Sequence, residues 1–314
     1  MTTGTTTPST ELPAALSPRR RPTRWPRLGM ALLALIALAI GLVQWAPLHR
    51  HTARTGYLSA NSWPTQGQAA YTVGGQVLAS PGQRPVPIAS LAKVMTACLT
   101  LRAFPLGTGD GFAITVTDAD VEDTAERASR DESVVSVAAG EVLTERQALA
   151  ALLLPSANNV AAMLARSVAD NQAAFVIAMN HTAREFGMAD THYTDPSGFD
   201  SATVSTAADQ TVLALQAMRL PTFRSLVAMP SYQLPVAGTV RNTDILLGKA
   251  GFVGIKTGSH DAAGGCFMFR VNRDDGGSPL QLTGVILGQR GDNLIEAGQY
   301  AALEFVDRVV ASTR

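Results

Sequence analysis

Cysteine, lysine and net charge are all in short supply in this 314-residue chain, and each shortage closes off a class of function. Two cysteines, Cys98 and Cys266, cannot build a disulfide-rich scaffold and match no zinc spacing. The five histidines include no His-Glu-x-x-His, which argues against a zinc hydrolase. Formal net charge is zero, so the chain has no bulk positive field with which to hold nucleic acid. Internal repeats and long linkers are missing too. What is present is an apolar fraction of 46%, enough for a sizeable core. The chain reads as an enzyme-sized globular domain with an additional segment at its front.

Charge is also missing from residues 28–46, LGMALLALIALAIGLVQWA. A helix of this length, at ~1.5 Å per residue, comes close to spanning a hydrocarbon core. Trp25 and Trp45 bracket it as interfacial anchors. Arg19, Arg20, Arg21, Arg24 and Arg27 precede it, whereas only Arg50 and Arg54 follow closely. The positive-inside rule therefore predicts a cytoplasmic N-terminus and an outer C-terminal part. A cleaved signal peptide is the alternative, but the run is longer than the usual apolar core and no Ala-x-Ala site follows. The expected organisation is a disordered cytoplasmic tail over 1–27, a transmembrane signal anchor over 28–46, a linker over 47–67 and one domain over 68–314. Beyond residue 47 the chain holds 20 basic and 24 acidic residues, a mildly acidic balance.

Periodicity predicts strands at 69–73 and 76–79 around a Gly74-Gly75 turn. Residues 90–104 have helical spacing and follow Pro85 and Pro87, which stop any earlier helix. Strand-like stretches occur at 112–116 and 133–137. Thr144-x-x-Gln147 is a capping-box pattern that opens a helix over 144–154. Further helices are expected at 158–169, 171–186 and 207–218, strands at 252–257, 265–271 and 280–287, and a closing amphipathic helix at 296–311. Helices in the middle with strands at both ends give an α+β fold.

Lysine carries the chemistry. Lys93, Lys249 and Lys256 stand against 22 arginines. A chain so biased toward arginine should keep lysine where arginine cannot substitute, as in a general base, because arginine does not give up its proton. Lys93 follows Ser90 by three residues in IASLAKVMTACL, so on a helix the two share a face. The apolar run behind Lys93 would bury and desolvate it, lowering its pKa. Chance alone predicts about 0.2 such Ser-x-x-Lys matches in this composition, so the pattern needs support. It comes from Ser156-Ala157-Asn158 at a helix-to-helix turn, and from Lys256-Thr257-Gly258 on a strand-like segment.

Taken in order, Ser-x-x-Lys, Ser-x-Asn and Lys-Thr-Gly form the motif set of penicillin-interacting serine enzymes. With IASLAKVMTA, FVIAMNHTAREFGMADTHYTDPSGFD, VSTAADQ and GIKTGSHDAAGGC, the chain resembles the low-molecular-mass penicillin-binding proteins over roughly residues 68–312. These are D-alanyl-D-alanine carboxypeptidases and their D,D-endopeptidase relatives. The resemblance implies a serine β-lactamase/D,D-peptidase-like fold: an antiparallel sheet flanked by helices, plus a mainly helical subregion. It implies that Ser90 attacks the carbonyl of a stem peptide ending in D-Ala-D-Ala, with Lys93 as base and Ser156 relaying a proton to the leaving D-alanine. Asn158 would bond the substrate amide or hold Lys93. Lys256 and Thr257 would bind the terminal carboxylate beside Gly258, and the N–H groups of Ser90 and Ser259 would form the oxyanion hole. No metal and no cofactor is implied. The expected partners are peptidoglycan stem peptides, β-lactams as covalent inhibitors, and membrane lipid through residues 28–46, with no nucleic acid. The expected location is the bacterial cytoplasmic membrane, with the catalytic domain on its outer side.

Three departures leave the specificity open. The chain ends after the expected catalytic domain, without the second β-rich domain many relatives carry. The middle motif has Ala157 where glycine is commoner. An arginine that often precedes the last helix is replaced by Leu294-Ile295, with Arg290 the nearest substitute. A D,D-endopeptidase, a β-lactamase and a non-catalytic receptor remain as alternatives to a carboxypeptidase. No Glu-x-x-Leu-Asn, the deacylating signature of class A lactamases, occurs over 159–255; the only glutamate there is Glu185. Cys98 and Cys266 read as core residues rather than a disulfide, and His260 as a possible cleft residue.

Overall fold

The computed structural model describes Met1, residues 62–274 and residues 279–312. Five strands make the main sheet: β1 (Gln68–Val73), β2 (Gln76–Ala79), β3 (Phe252–His260), β4 (Gly264–Asp274) and β5 (Pro279–Gln289). Their order is β2-β1-β5-β4-β3, with every neighbour antiparallel. The expected turn at Gly74-Gly75 joins β1 to β2. The long sequence gap between β1 and β5 holds almost all of the helices.

Eight helices surround this sheet in the described residues: α1 (Ala92–Ala103), α2 (Asp118–Ser129), α3 (Glu145–Leu153), α4 (Asn158–Ala169), α5 (Gln172–Glu185), α6 (Ala207–Ala217), α7 (Pro221–Val227) and α8 (Leu294–Ser312). Strand alternation splits the core between the two faces of the sheet. Phe267 and Phe269 of β4 and Ile286 of β5 pack with Phe305, Val306 and Val309 of α8. Cys266, Met268 and Val285, pointing the other way, join the helical subregion. At its centre lies α1, buried at all 12 of its positions. A helix buried on every side is a core helix, and it fixes whatever its first turn carries. The α+β reading and its antiparallel sheet flanked by helices are thus what the structure shows.

Two local readings fare differently. Thr144 caps α3 as its pattern predicts: its N–H donates to Gln147 Oε1 at 2.9 Å, and its hydroxyl accepts from the Gln147 N–H at 3.2 Å. Residues 133–137, expected as a strand, have no regular structure. The backbone of Val135 is instead satisfied by a side chain, with its N–H donating to Asn159 Oδ1 at 3.2 Å and its carbonyl accepting from Asn159 Nδ2 at 2.9 Å. Helix α2 is absent from the periodicity reading because its only buried residue is Asp120. A capping box from Thr117 and ion pairs of Asp120 with Arg166 and of Asp123 with Arg127 hold it in place of an apolar stripe.

The membrane assignment is corrected. Among the described residues no helix is long and apolar enough to cross a membrane. The tail, the proposed anchor over 28–46 and the linker as far as residue 61 lie outside the described residues, apart from Met1. Neither the single-pass location nor the lipid contact is therefore supported. Residues 62–67, the end of the expected linker, pack on the domain: Trp63 is buried, stacked on Phe305 at 5.4 Å between ring centroids.

Candidate active site

Ser90 lies in a single 3-10 turn, Ala89–Leu91, that feeds directly into α1. Lys93, the second residue of α1, is completely buried, and its Nζ donates to Ser90 Oγ at 2.8 Å and to the Ser197 carbonyl at 3.0 Å. The i, i+3 spacing delivers the contact that the sequence predicts. Neighbouring backbones close tightly on this turn. A β-carbon on Gly198 (φ 79°) would stand 1.9 Å from the Ala89 carbonyl oxygen, and one on Gly258 would stand 3.0 Å from the Ser90 nitrogen. Glycine is therefore needed at 198, whereas a side chain at 258 would have to push the Ser90 turn back by a few tenths of an ångström.

The second wall is the turn between α3 and α4. Pro155 blocks continuation of α3, and Ser156 takes a left-handed φ of 69°. Its hydroxyl is buried with no hydrogen-bond partner among the described residues. Asn158, the first residue of α4, donates its backbone N–H to the Ser133 carbonyl at 2.7 Å. Its Nδ2 donates to Glu132 Oε2 at 2.7 Å, and its Oδ1 is buried without a partner among the described residues. Of the two expected roles, bonding the substrate amide or holding Lys93, the side-chain hydrogen bond seen at Asn158 matches neither: it goes to Glu132.

The third wall is β3, the edge strand of the sheet. Lys256 is 1% exposed and donates to the Thr257 carbonyl at 3.0 Å. The Thr257 hydroxyl lies 2.6 Å from that of Thr243. Edge strands leave alternate backbone groups unpaired, and this edge faces the Ser90 turn through Gly258. Ser90, Arg130, Glu132, Asn158, Phe199, Ser259 and His260 are among the residues that line a cleft of about 550 Å³.

Burial sets the electrostatics. Desolvation drives the Lys93 ammonium well below its ordinary pKa, and the positive charge of Lys256 drives it further. Asp195 and Glu132 pull it back up, while Arg127 lowers it. Lys256 is pushed down to about 7 by burial, against the field of Asp244. Two lysines so placed favour a neutral amine next to the Ser90 hydroxyl, which is what a base requires.

Several residues at this site escape the motif reading. The segment Asp195-Pro196-Ser197-Gly198 is a turn signature in sequence. In the fold, Asp195 accepts from the N–H groups of Ser197, Gly198 and Phe199 and from the Ser197 hydroxyl, which aims the Ser197 carbonyl at Lys93. Glu132, Arg127 and Arg130 belong to none of the motifs. Arg290 donates to the Asp261 carbonyl at 2.6 Å, next to the turn that ends β3. Cys98 and Cys266 are both free and buried. Among the described residues, no group of three or more His, Cys, Asp or Glu side chains is gathered for metal binding.

The family model described as D-alanyl-D-alanine carboxypeptidase matches residues 70–290. A D-alanyl-D-alanine endopeptidase of Pseudomonas aeruginosa is 34% identical over 63% of this chain and 62% of its own length. A D-alanyl-D-alanine carboxypeptidase of Mycobacterium tuberculosis is 37% identical over 62% of this chain and 65% of its own. The matched stretch spans less than two thirds of either relative. Among solved structures, a Streptomyces DD-transpeptidase superposes with a TM-score of 0.69 at 25% identity, covering 79% of this chain and 99% of that one. A penicillin-binding protein homologue from Mycobacterium tuberculosis gives a TM-score of 0.69 at 28% identity, covering 83% and 96%.

Proposed function

Because the chain belongs to the D-alanyl-D-alanine carboxypeptidase family of serine peptidases, we propose that it removes the terminal D-alanine from peptidoglycan stem peptides through an acyl-enzyme on Ser90. The observation that carries this reading is the 2.8 Å hydrogen bond from a fully buried Lys93 to Ser90 Oγ. Neutral Lys93 takes the hydroxyl proton as Ser90 attacks the carbonyl of the penultimate residue. The Ser90 and Ser259 N–H groups stabilise the developing oxyanion. Ser156, whose buried hydroxyl has no partner among the described residues, passes a proton to the departing D-alanine, and Lys256, Thr257 and Gly258 hold its carboxylate. Water then cleaves the ester and restores Ser90.

Endopeptidase cleavage of cross-links uses the same chemistry on a larger leaving group, and relatives of both names occur. A β-lactamase reading lacks its deacylating glutamate: Glu185 is tied to Arg102 at 3.1 Å on α5. The test is to incubate the protein with a D-Ala-D-Ala pentapeptide and with a cross-linked muropeptide dimer, and to identify the products by mass. Release of free D-alanine by wild type and not by Ser90→Ala is expected. A wild type that leaves both substrates intact contradicts the proposal.

A further inference from the structure

We propose that Glu132 is a positioning residue for acylation, acting through Asn158 by fixing which end of its amide is offered to the reacting groups. The inference rests on the reading of Ser90 as nucleophile given above.

An ionised carboxylate only accepts hydrogen bonds. With Glu132 Oε2 2.7 Å from Asn158 Nδ2, the NH2 end of the amide must face Glu132 and the carbonyl end must face away. That carbonyl oxygen, Oδ1, is buried and has no donor among the described residues. The amide is thus held as an acceptor waiting for an N–H, in the wall of the cleft that holds Ser90. Without the carboxylate the amide could turn over and present a donor, at little cost in shape.

Glu132 is itself locked. Its side chain has no solvent exposure. Oε2 accepts from Asn158 and from Arg127 Nη1 at 3.0 Å, and Oε1 accepts from Arg130 Nε at 3.1 Å and Nη2 at 2.8 Å. Burial opposes its ionisation, but the bonds from Asn158, Arg130 and Arg127 together hold its carboxyl below the usual range. All four acceptor positions are used, so Glu132 is not free to serve as a base toward water. The turn that aims it is fixed on both sides: Asp131 takes a left-handed φ of 57°, and the Glu132 N–H donates to the Arg127 carbonyl at 3.1 Å. An ionic cluster built only to anchor a loop does not need to end on a residue of the cleft.

The charges facing Lys93 supply a second readout. Lys256 and Arg127 lower its pKa, whereas Asp195 and Glu132 raise it. Removing the charge of Glu132 leaves a lysine that deprotonates at lower pH.

The experiment measures covalent labelling of the full chain by a fluorescent penicillin across a pH series, for wild type, Glu132→Gln, Asn158→Ala and the double variant. On the high-pH plateau, Glu132→Gln should acylate at least about tenfold more slowly than wild type, the scale expected for a misplaced reacting group. Its acidic limb should move to lower pH. Adding Glu132→Gln to Asn158→Ala should change the plateau by less than about twofold. Equal losses in both backgrounds, or an unmoved limb, mean a loop anchor and overturn the proposal. If Glu132→Gln does not fold, Glu132→Asp retains the charge but retracts it from Asn158. It should lose a similar factor on the plateau with the limb unmoved, and wild-type rates in it overturn the proposal. A wild type that takes no label overturns the underlying reading of Ser90 instead.

Discussion

Gly198 presses against Ala89 so closely that a β-carbon on the glycine would stand 1.9 Å from the alanine carbonyl oxygen. The contact ties the Asp195–Gly198 turn to the turn that carries Ser90, and the same segment supplies the Ser197 carbonyl that holds Lys93. Ala89 itself takes a left-handed φ of 47°, so the Ser90 turn is strained and depends on such neighbours to hold it.

Gly198→Ala adds a left-handed penalty to a backbone clash, since Gly198 has a φ of 79°. Stability should fall by about 1–3 kcal/mol or more. Penicillin acylation should fall by at least about tenfold, because the Ser90 turn must shift. Thermal unfolding and labelling kinetics check the two parts. Wild-type values for both would show that the turn gives way without affecting Ser90.

Thr144→Ala is the matching control. It removes a capping box on α3 that lies away from the cleft lining. The expected cost is about 0.5–2 kcal/mol of stability, with labelling of the folded protein unchanged. Denaturant unfolding measures the first and labelling at low temperature the second. A large loss of labelling in the folded variant would mean that the start of α3 is coupled to the Ser156 turn at its other end.

Lys256 gives a pH signature whose sign is fixed by burial. Its folded pKa is about 7 against an ordinary 10.5. Between these values the unfolded chain holds a proton that the folded one has released, so stability rises with pH across that window. Below about 7 both states are protonated and the contribution is at its least favourable. Lys256→Met should be more stable than wild type near pH 7 and should lose part of the rise from pH 7 to 10, as read by thermal unfolding across pH. Charged Lys256 also lowers the Lys93 pKa, so the acidic limb of acylation should move to higher pH in this variant. An unchanged stability profile and an unchanged limb would place the charge of Lys256 elsewhere.

Much of the frame could be read from pattern. The alternation in β4 and β5, the all-buried stretch of α1 and the Thr144 capping box each reflect local chemistry that repeats at a fixed spacing. The Ser90–Lys93 contact was legible for the same reason, since i, i+3 on a helix is a distance as well as a spacing. Helix α2 was not, because its only buried residue is an aspartate, whose ion-pair partner Arg166 lies 46 positions away. Residues 133–137 look like a strand to any periodicity argument, yet the backbone of Val135 is bonded by the side chain of Asn159, 24 positions away. Glu132 was invisible for a similar reason: its meaning lies in Asn158, 26 residues on. Sequence spacing reveals partners on one element and conceals those brought together by the fold.

The most direct test of the central claim, that Ser90 is a nucleophile activated by Lys93, is to react the protein with a labelled penicillin and map the adduct. The label should be found on Ser90, persist for minutes or longer, and vanish in Ser90→Ala. Lys93→Arg keeps the charge but cannot act as a base, so its labelling should be slower by about 10²–10⁴-fold. A label on another residue, or a Lys93→Arg variant that acylates at the wild-type rate, contradicts the account.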